Sequence, residues 1–208
     1  TNTALLSYPY ILKLPDSGSS IDMFLVKDEK SFVFTEENCP FKDSALVEEF
    51  IGGREFTVAV LRGKALGLIE ISSCKDGVFD SDHKSGETVN SIANPDVPEK
   101  IKDKILRVAE KCYLAVKANS IARVDLKWDE EKDRVVVFEI NTIPGMCSTS
   151  LAPMAVKEYL GLDFSQFIKV LIDDGLEYWK NKVEREKEFE LRGFYDGDRT
   201  KCSEEEVQ

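Results

Sequence analysis

From Ser7 to about Leu68, apolar residues come in short runs broken by Gly, Pro, Asp and Ser, a pattern typical of strands and tight loops. Within this region, Glu55–Leu61 and Ala65–Ile71 flank Arg62-Gly63-Lys64, which predicts a β-hairpin. A polar stretch follows from Ser72 to Asn94, and its length is typical of a functional or mobile loop. The first half of the chain is therefore predicted to be mainly β.

Helical spacing of apolar residues begins after this loop. A helix is predicted from Pro98 to about Lys117, with Asp96 as its cap, and a second from Ala152 to Leu160. A third is predicted to end near Lys182, and the residues marking its apolar face are Phe164, Phe167, Ile168, Leu171, Ile172, Gly175, Leu176 and Trp179. Charged residues dominate from Val183 onward, which favours a solvated helix extension followed by a frayed end.

Between the first two helices, Ile121–Trp128 and Arg134–Asn141 alternate cleanly around a polar turn and predict a second hairpin. Side chains of a strand point to alternate faces, so parity indicates which groups converge. One parity class contains polar residues and the other contains apolar residues. The polar row is Arg123, Asp125, Lys127, Glu139 and Asn141, and the apolar row is Val124, Leu126, Phe138 and Ile140.

The polar row has the chemistry of a site for Mg²⁺ and phosphate. Carboxylate and amide oxygens suit Mg²⁺, which takes its remaining ligands from water and phosphate. Arg123 offers a planar fork for phosphoryl or carboxylate oxygens. The alternative is that alternating charge on an exposed hairpin is simply a solvated face.

After Asn141, the loop Thr142–Leu151 contains glycine and several hydroxyl groups, and it leads into the predicted helix at Ala152. Such a loop can offer backbone N–H groups and a helix N-terminus to an anion. The alternative is a hydroxyl-rich connector.

Composition narrows the class of protein. Hydrophobic residues make up 42% of the 208 residues and charged residues 32%, the balance of a globular protein with a core. The net charge of -11 would repel a phosphate backbone, which argues against a nucleic-acid partner. Five cysteines without a C-x-x-C pair, together with one histidine, favour free thiols in a reducing compartment. No apolar run approaches the roughly 20 residues that span a bilayer.

Two segments of this region, ARVDLKW and FEINTIPGMCSTSLAP, closely resemble the signature of bacterial D-alanine–D-alanine ligases. That signature is an Arg-x-Asp strand followed by Glu-x-Asn-x-x-Pro-Gly-Met and Ser-Leu-x-Pro. Earlier blocks agree in order. The segment from Tyr10 to Lys13, with Ser17-Gly18-Ser19-Ser20, is similar to the family's ATP-lysine strand and flexible loop, and Val47–Val58 is similar to its adenine strap. The resemblance covers roughly Pro9 to Asp174.

The resemblance implies an α+β ATP-grasp fold, with antiparallel sheets and flanking helices, that lacks the family's N-terminal α/β domain. Residues 1–50 would be the remainder of the central ATP-grasp subdomain, and residues 51–182 the C-terminal subdomain with the metal and substrate site. Residues 183–208 would be a flexible charged tail. The implied location is the cytoplasm, or an organelle interior in a eukaryote.

The activity implied is an ATP- and Mg²⁺-dependent ligase that joins two D-alanines through an acyl phosphate in peptidoglycan precursor synthesis. Two Mg²⁺ ions, or Mn²⁺ in their place, would be held by Asp125, Glu139 and Asn141. The implied roles of the other residues are ATP binding for Lys13, Glu48, Phe50, Ile51, Glu55 and Lys84, catalysis for Arg123, Gly145 and Ser19, and binding of the second D-alanine for Ser150 and Leu151.

The chain also departs from the family pattern. Ser85 replaces a tyrosine that helps to select the acceptor, so D-lactate or another 2-hydroxy acid stays an alternative to D-alanine. The region that binds the first D-alanine is expected to lie in a missing N-terminal portion or a partner chain, and a homodimer is a further alternative. Two other functions stay open: a non-catalytic ATP-grasp remnant with a structural or interaction role, and another amine or thiol ligase of the same superfamily.

Overall fold

The computed structural model describes residues 6–15, 23–32, 44–71, 91–147 and 149–191, with the backbone alone for 185–191. The chain divides after Phe164 into two compact units. The described residues of the first unit form two antiparallel sheets and two helices of ten or more residues, and the described part of the second unit is helical. The prediction of an α+β fold with antiparallel sheets and flanking helices is confirmed. The proposed boundaries at residues 50 and 182 stay predictions.

The smaller sheet has three strands: β1 (Tyr10–Lys13), β2 (Met23–Val26) and β3 (Leu46–Glu49). Their order is β2-β1-β3, and both pairs are antiparallel. Ile11 lies opposite Glu48 and Lys13 opposite Leu46. The ends of β1 and β3 therefore bring a lysine and a glutamate onto neighbouring strands.

The larger sheet has six strands: β4 (Arg54–Leu61), β5 (Lys64–Ala65), β6 (Ile69–Ile71), β7 (Ser91–Ala93), β8 (Ile121–Asp129) and β9 (Arg134–Asn141). Their order is β7-β6-β4-β8-β9, and β5 pairs with β4. Both predicted hairpins are confirmed. The return strand of the first is interrupted at residues 66–68, where Leu66 still donates its N–H to the Ala59 carbonyl over 2.9 Å.

One face of the larger sheet packs against a helix to make the core. The helix, α1 (Glu99–Ala115), buries four residues at helical spacing. The cluster consists of Phe56, Val58, Val60, Ala122, Val124 and Leu126 from β4 and β8, and Ile101, Ile105, Ala109 and Tyr113 from α1, with Leu68 and Val97 beside them. Alternate residues of β4 and β8 are thereby committed to the core, which leaves the intervening ones for the opposite face.

The predicted cap of α1 is wrong. Pro98 occupies the N-cap position, and no side chain caps the helix there. Asp96 instead accepts a hydrogen bond through its backbone carbonyl from Arg54 Nη1 at 2.9 Å. Proline is well suited to a helix start because it has no backbone N–H that would need a partner, and because its φ is fixed near the helical value.

Two further helices are α2 (Leu151–Leu160), which packs against β4, and α3 (Phe164–Leu191). α2 ends at Gly161 in the left-handed conformation, φ 67°, where glycine has no Cβ penalty. α3 continues nine residues past the predicted end at Lys182. Ile172, Leu176 and Trp179 recur along it at helical spacing, as predicted, and each is more than half exposed.

A β-bulge in β9 changes the predicted facing of one residue. Asp125 lies opposite Glu139, whereas the next residue, Leu126, lies opposite Val137. Phe138 is therefore the extra residue, and a bulged residue can turn its side chain away from the alternation. Phe138 was expected in the apolar row, but it is 45% exposed and its ring lies near the Lys127 ammonium, on the polar face.

The two sheets of the first unit are connected by residues 50–53, here called the strap. Its last residue, Gly53, has φ 91°, a conformation that side-chain-bearing residues rarely adopt. A Cβ on Gly53 would overlap the backbone carbonyl of Trp128, whereas a Cβ on Gly52 would meet nothing within 4 Å. The strap thus passes close against the end of β8.

We expect Gly53→Ala to lower the free energy of unfolding by about 1–2 kcal/mol from the left-handed φ alone, and further because the Trp128 carbonyl must move. The matched control is Gly52→Ala, which should be neutral or stabilising by about 0.4–1 kcal/mol because it only restricts the unfolded chain. Urea unfolding of both variants provides the measurement. Equal stability of the two would contradict the close approach.

Candidate functional site

Polar side chains line the face of the larger sheet that does not carry the α1 core. On β8 they are Arg123, Asp125 and Lys127, as parity predicts. The register places Thr57 of β4 opposite Asp125, and Glu139 of β9 opposite the same residue on the other side. Asn141 lies opposite Arg123. Residues far apart in the chain therefore meet on three adjacent strands.

Asp125 is the centre of this group, and its carboxylate accepts hydrogen bonds from three side chains. Thr57 Oγ1 donates to Oδ1 at 2.6 Å, and Asn141 Nδ2 donates to Oδ2 at 3.1 Å. Arg123 donates through Nε to Oδ1 at 3.0 Å and through Nη2 to Oδ2 at 2.7 Å, a bidentate ion pair. The Asp125 side chain is 14% exposed, so these charge-assisted bonds hold it firmly in one orientation.

Arg123 is also largely enclosed. Burial opposes its charge, but hydrogen bonding to Asp125 and the nearby Glu139 carboxylate favour the charge and raise the pKa of Arg123 above its ordinary value. The guanidinium is therefore a permanent cation at the end of the polar row. A permanent, planar cation can bind an oxyanion through two parallel hydrogen bonds.

The donor set at this position fits Mg²⁺ in kind. Asp125, Glu139 and Asn141 all carry oxygen donors. Asp125 and Glu139 lie directly opposite each other on two strands, and Asn141 lies two residues beyond Glu139, opposite Arg123. Among the described residues, no group of three or more His, Cys, Asp and Glu is close enough to hold a metal, so the set consists of two carboxylates and an amide. A cation binding at Asp125 would compete with the hydrogen bonds that this carboxylate now accepts.

The residues predicted to bind ATP lie beside this row or on the smaller sheet. Lys13 of β1 and Glu48 of β3 form an ion pair of 2.8 Å. Phe50 and Ile51 lie in the strap, and Glu55 of β4 lies opposite Lys127 with a charge contact of 3.7 Å. The structure therefore brings Glu55 and Phe50 together around Lys127. Lys84 and Ser19 lie outside the described residues.

The residues predicted to contact the second substrate lie where the loop after β9 enters α2. Ser150 is the N-cap residue of α2, and Leu151 is its first residue. The Ser150 hydroxyl turns back to the loop, where it accepts a hydrogen bond from the Cys147 N–H at 3.1 Å. A Cβ on Gly145 would lie 3.0 Å from that hydroxyl oxygen, so the absence of a side chain lets the loop fold tightly. Cys147 and Cys112 are free thiols, as expected, and the other three cysteines lie outside the described residues.

An ion-pair cluster that the sequence analysis missed joins the smaller sheet to the β8–β9 hairpin. Arg134 forms a bidentate pair with Glu49 of β3, with bonds of 2.5 and 3.1 Å, and its Nε donates to Asp129 at 3.0 Å. Lys132 also contacts Glu49 at 3.1 Å. Hydrogen bonds from Arg134 and then Lys132 lower the pKa of Glu49 from its ordinary 4.5 to about 2.

Thr57 was also missed, although a signal for it exists in the sequence. It shares parity with Glu55 on β4, so any pairing of β4 with β8 would place it on the polar face. Thr57 is only 1% exposed, and its hydroxyl is satisfied by Asp125. A buried hydroxyl beside a carboxylate acts here as a support for that carboxylate.

Two antiparallel sheets joined by a strap, with oxygen donors gathered on one hairpin, define the ATP-grasp class of fold. The solved D-alanine–D-alanine ligase from Coxiella burnetii has the same fold, with a TM-score of 0.72 and 25% identity, over 89% of this chain and 50% of that one. A ligase from Bacillus anthracis complexed with ATP matches with a TM-score of 0.64 and 24% identity, over 84% of this chain and 53% of that one.

The family follows from the sequence match. Residues 2–173 match the model described as D-ala D-ala ligase C-terminus, and the chain belongs to this family. The D-alanine–D-alanine ligase of Rickettsia canadensis is 34% identical over 165 residues, which make up 79% of this chain and 46% of that protein. The chain thus spans about half the length of the curated relatives it matches. Across the described part of the chain, no helix is long and apolar enough to cross a membrane.

We expect Arg134→Gln to raise the pKa of Glu49 toward 4.5, because Glu49 would lose its strongest hydrogen-bond donor. A lowered pKa contributes stability that is present above about pH 4.5 and is lost as the pH falls toward about 2. In the variant this acid-range loss should shrink, and solvent screening keeps its size small. NMR titration of the Glu49 carboxyl carbon measures the shift. Arg107→Gln, in the exposed pair with Asp103, is the control, and an unchanged Glu49 titration in Arg134→Gln would contradict the cluster.

Proposed function

We propose that this chain is the nucleotide-binding and carboxylate-activating part of an ATP- and Mg²⁺-dependent ligase that joins two D-alanines in peptidoglycan precursor synthesis. The observation that carries the proposal is the convergence of Arg123, Asp125 and Asn141 in one hydrogen-bonded group, with Glu139 directly opposite Asp125. Family membership supports it, and the Bacillus anthracis ligase that shares the fold is complexed with ATP. The ligase would act in the cytoplasm.

In the proposed reaction, the γ-phosphoryl group of ATP moves to the carboxylate of the first D-alanine, which gives an acyl phosphate and ADP. The amine of the second D-alanine then attacks the acyl carbon, phosphate leaves, and the nitrogen loses a proton. Such transfers depend mainly on positioning and on neutralising charge. A face built from a fixed cation and oxygen ligands meets both needs.

Each part of the described site has a proposed task. Asp125, Glu139 and Asn141 would hold Mg²⁺, which when bound neutralises charge on the phosphate oxygens. Arg123 would bind the transferring phosphoryl group, because its guanidinium is charged at every working pH. It would have to exchange part of its pair with Asp125 for that contact. The backbone at Gly145 would steady the oxyanion of the tetrahedral intermediate, as backbone N–H donors do in acyl transfer.

Nucleotide and substrate would be held by the surrounding residues. Lys13 would bind ATP phosphate and Glu48 the adenine, so their present ion pair would open when the nucleotide binds. The strap residues Phe50 and Ile51 would contact the base, and Glu55 the ribose. The remaining proposed contacts are Lys84 with phosphate, Ser19 with the closing loop, and Ser150 and Leu151 with the carboxylate of the second D-alanine.

Two alternatives concern the acceptor substrate and the possibility that the chain is not catalytic. D-lactate stays an alternative acceptor because Ser85 stands at the family's tyrosine position, and a phosphate-release assay with exchanged acceptors decides between them. The non-catalytic alternative predicts nucleotide-independent function of the chain. Partners would be a second copy, an N-terminal portion or another chain that supplies the site for the first D-alanine.

We expect Glu139→Gln to abolish most D-alanine-dependent phosphate release by the intact protein with Mg·ATP. Removing a ligand should cost more than the roughly 10- to 100-fold lost when an outer-shell partner is removed. The control is Glu130→Gln in the exposed turn of the same hairpin, which should keep full activity. Equal phosphate release by Glu139→Gln and the unsubstituted protein would refute the catalytic proposal.

Thr57 should influence the metal through Asp125. We expect Thr57→Val to raise the Mg²⁺ concentration needed for half-maximal ATP binding by about tenfold, because Asp125 loses its 2.6 Å hydrogen bond. Thr57→Ser keeps a hydroxyl and should stay near the unsubstituted protein. The effect is measured by calorimetry, in a titration of Mg²⁺ at a fixed ATP concentration. Identical Mg²⁺ dependence of both variants would show that Thr57 is only a core residue.

A further inference from the structure

Lys127 is a buried cation on the polar face, two residues beyond Asp125. Its side chain is 8% exposed, and Glu55, with a side chain that is 15% exposed, lies directly opposite it on β4. The Nζ to Oε2 distance is 3.7 Å. Parity alone would place a lysine here, but an exposed hairpin face would leave its ammonium in water.

Two aromatic rings also face this ammonium. The Phe50 ring centroid is 5.7 Å from Lys127 Nζ, and the Phe138 centroid is 5.5 Å from it. An ammonium within about 6 Å of a ring face is attracted by the ring quadrupole. The two rings come from different elements, because Phe50 lies in the strap and Phe138 is the bulged residue of β9. Lys127 therefore contacts the strap, β4 and β9 at once.

Burial of this cation calls for a physical reason. Removing an ammonium from water costs free energy, and an apolar side chain of similar size would fill the same space without that cost. Val136, which lies opposite Lys127 on β9, is apolar, so an uncharged side chain is compatible with this part of the face. The buried charge of Lys127 therefore acts on the groups around it, which are Glu55, Phe50 and Phe138.

We propose that Lys127 is a positioning residue for the nucleotide, and that it favours binding of ATP over analogues that lack a ribose hydroxyl group. Its ammonium holds the Glu55 carboxylate in place to accept ribose hydroxyl groups, and it draws Phe50 and Phe138 into the edges of the base pocket. This inference rests on the proposed function, in which Glu55 binds ribose and Phe50 the base. It adds a residue to which the family resemblance assigns no role.

The test compares binding of Mg·ATP with binding of its 2′-deoxy and 3′-deoxy analogues, by calorimetry on the intact protein. We expect Lys127→Met to weaken ATP binding by about tenfold, a size typical of coupling between contacting residues. The affinity for the analogue that lacks the hydroxyl bound by Glu55 should fall much less. The ratio of the affinity for ATP to the affinity for that analogue should therefore become smaller in Lys127→Met. Lys127→Arg retains the charge and should restore most of that preference, which a purely structural role would not do.

A double-mutant cycle with Glu55→Gln tests whether Lys127 acts through Glu55. The loss in the double variant should be close to that of Glu55→Gln alone, because the two residues form one unit. Lys104→Met is the control, since Lys104 lies on α1 and donates to the Asp133 carbonyl. Circular dichroism and urea midpoints check that each variant is folded.

The outcomes separate the two proposals. If the unsubstituted protein does not bind Mg·ATP, the proposed function fails and this inference fails with it. If it binds ATP but Lys127→Met keeps the same affinity and the same preference for ATP over both deoxy analogues, only the role of Lys127 is refuted. Additive losses in the double variant would likewise refute action through Glu55.

Discussion

The position of the Asp125 carboxylate is the constraint on which the site depends. Three side chains from three strands donate to it, so neither oxygen can turn without breaking a hydrogen bond. The strands themselves are fixed by the core on the opposite face, where Phe56, Val124 and Leu126 are fully buried. Packing on one side of a sheet thereby sets the geometry of polar groups on the other.

Much of this arrangement follows from alternation in the sequence. The hairpin from Ile121 to Asn141 was predicted because polar and apolar residues alternate along both strands, and the structure brings Arg123, Asp125 and Asn141 together as expected. The apolar row was right except at one point. Val135, Val137 and Ile140 pack on the core, and the step of three between the last two marks the bulge at Phe138. Strict alternation has no means of signalling an inserted residue, because the extra residue depends on how the two strands pair.

Contacts between distant elements were the part that sequence could not supply. Thr57 lies 68 residues before Asp125, and Glu49 lies 85 residues before Arg134. Each of these pairs depends on which strands become neighbours and in which register, and local patterns do not encode that choice. The predicted cap of α1 is wrong because the helix begins at Glu99 with Pro98 at the N-cap position, two residues beyond Asp96.

The Glu49–Arg134 cluster has a consequence for motion between the smaller sheet and the hairpin. The Lys132 and Glu49 side chains are 58% and 48% exposed, so dissolved ions weaken their attraction over a Debye length of about 8–10 Å at moderate ionic strength, whereas Asp129 is buried. The strap adjoins the same region and carries Gly53 against the Trp128 carbonyl, which limits how far the connection can swing. The ease with which the smaller sheet separates from the hairpin should therefore vary with the ionic strength. The rate at which a molecule held between them enters and leaves would then depend on ionic strength as well.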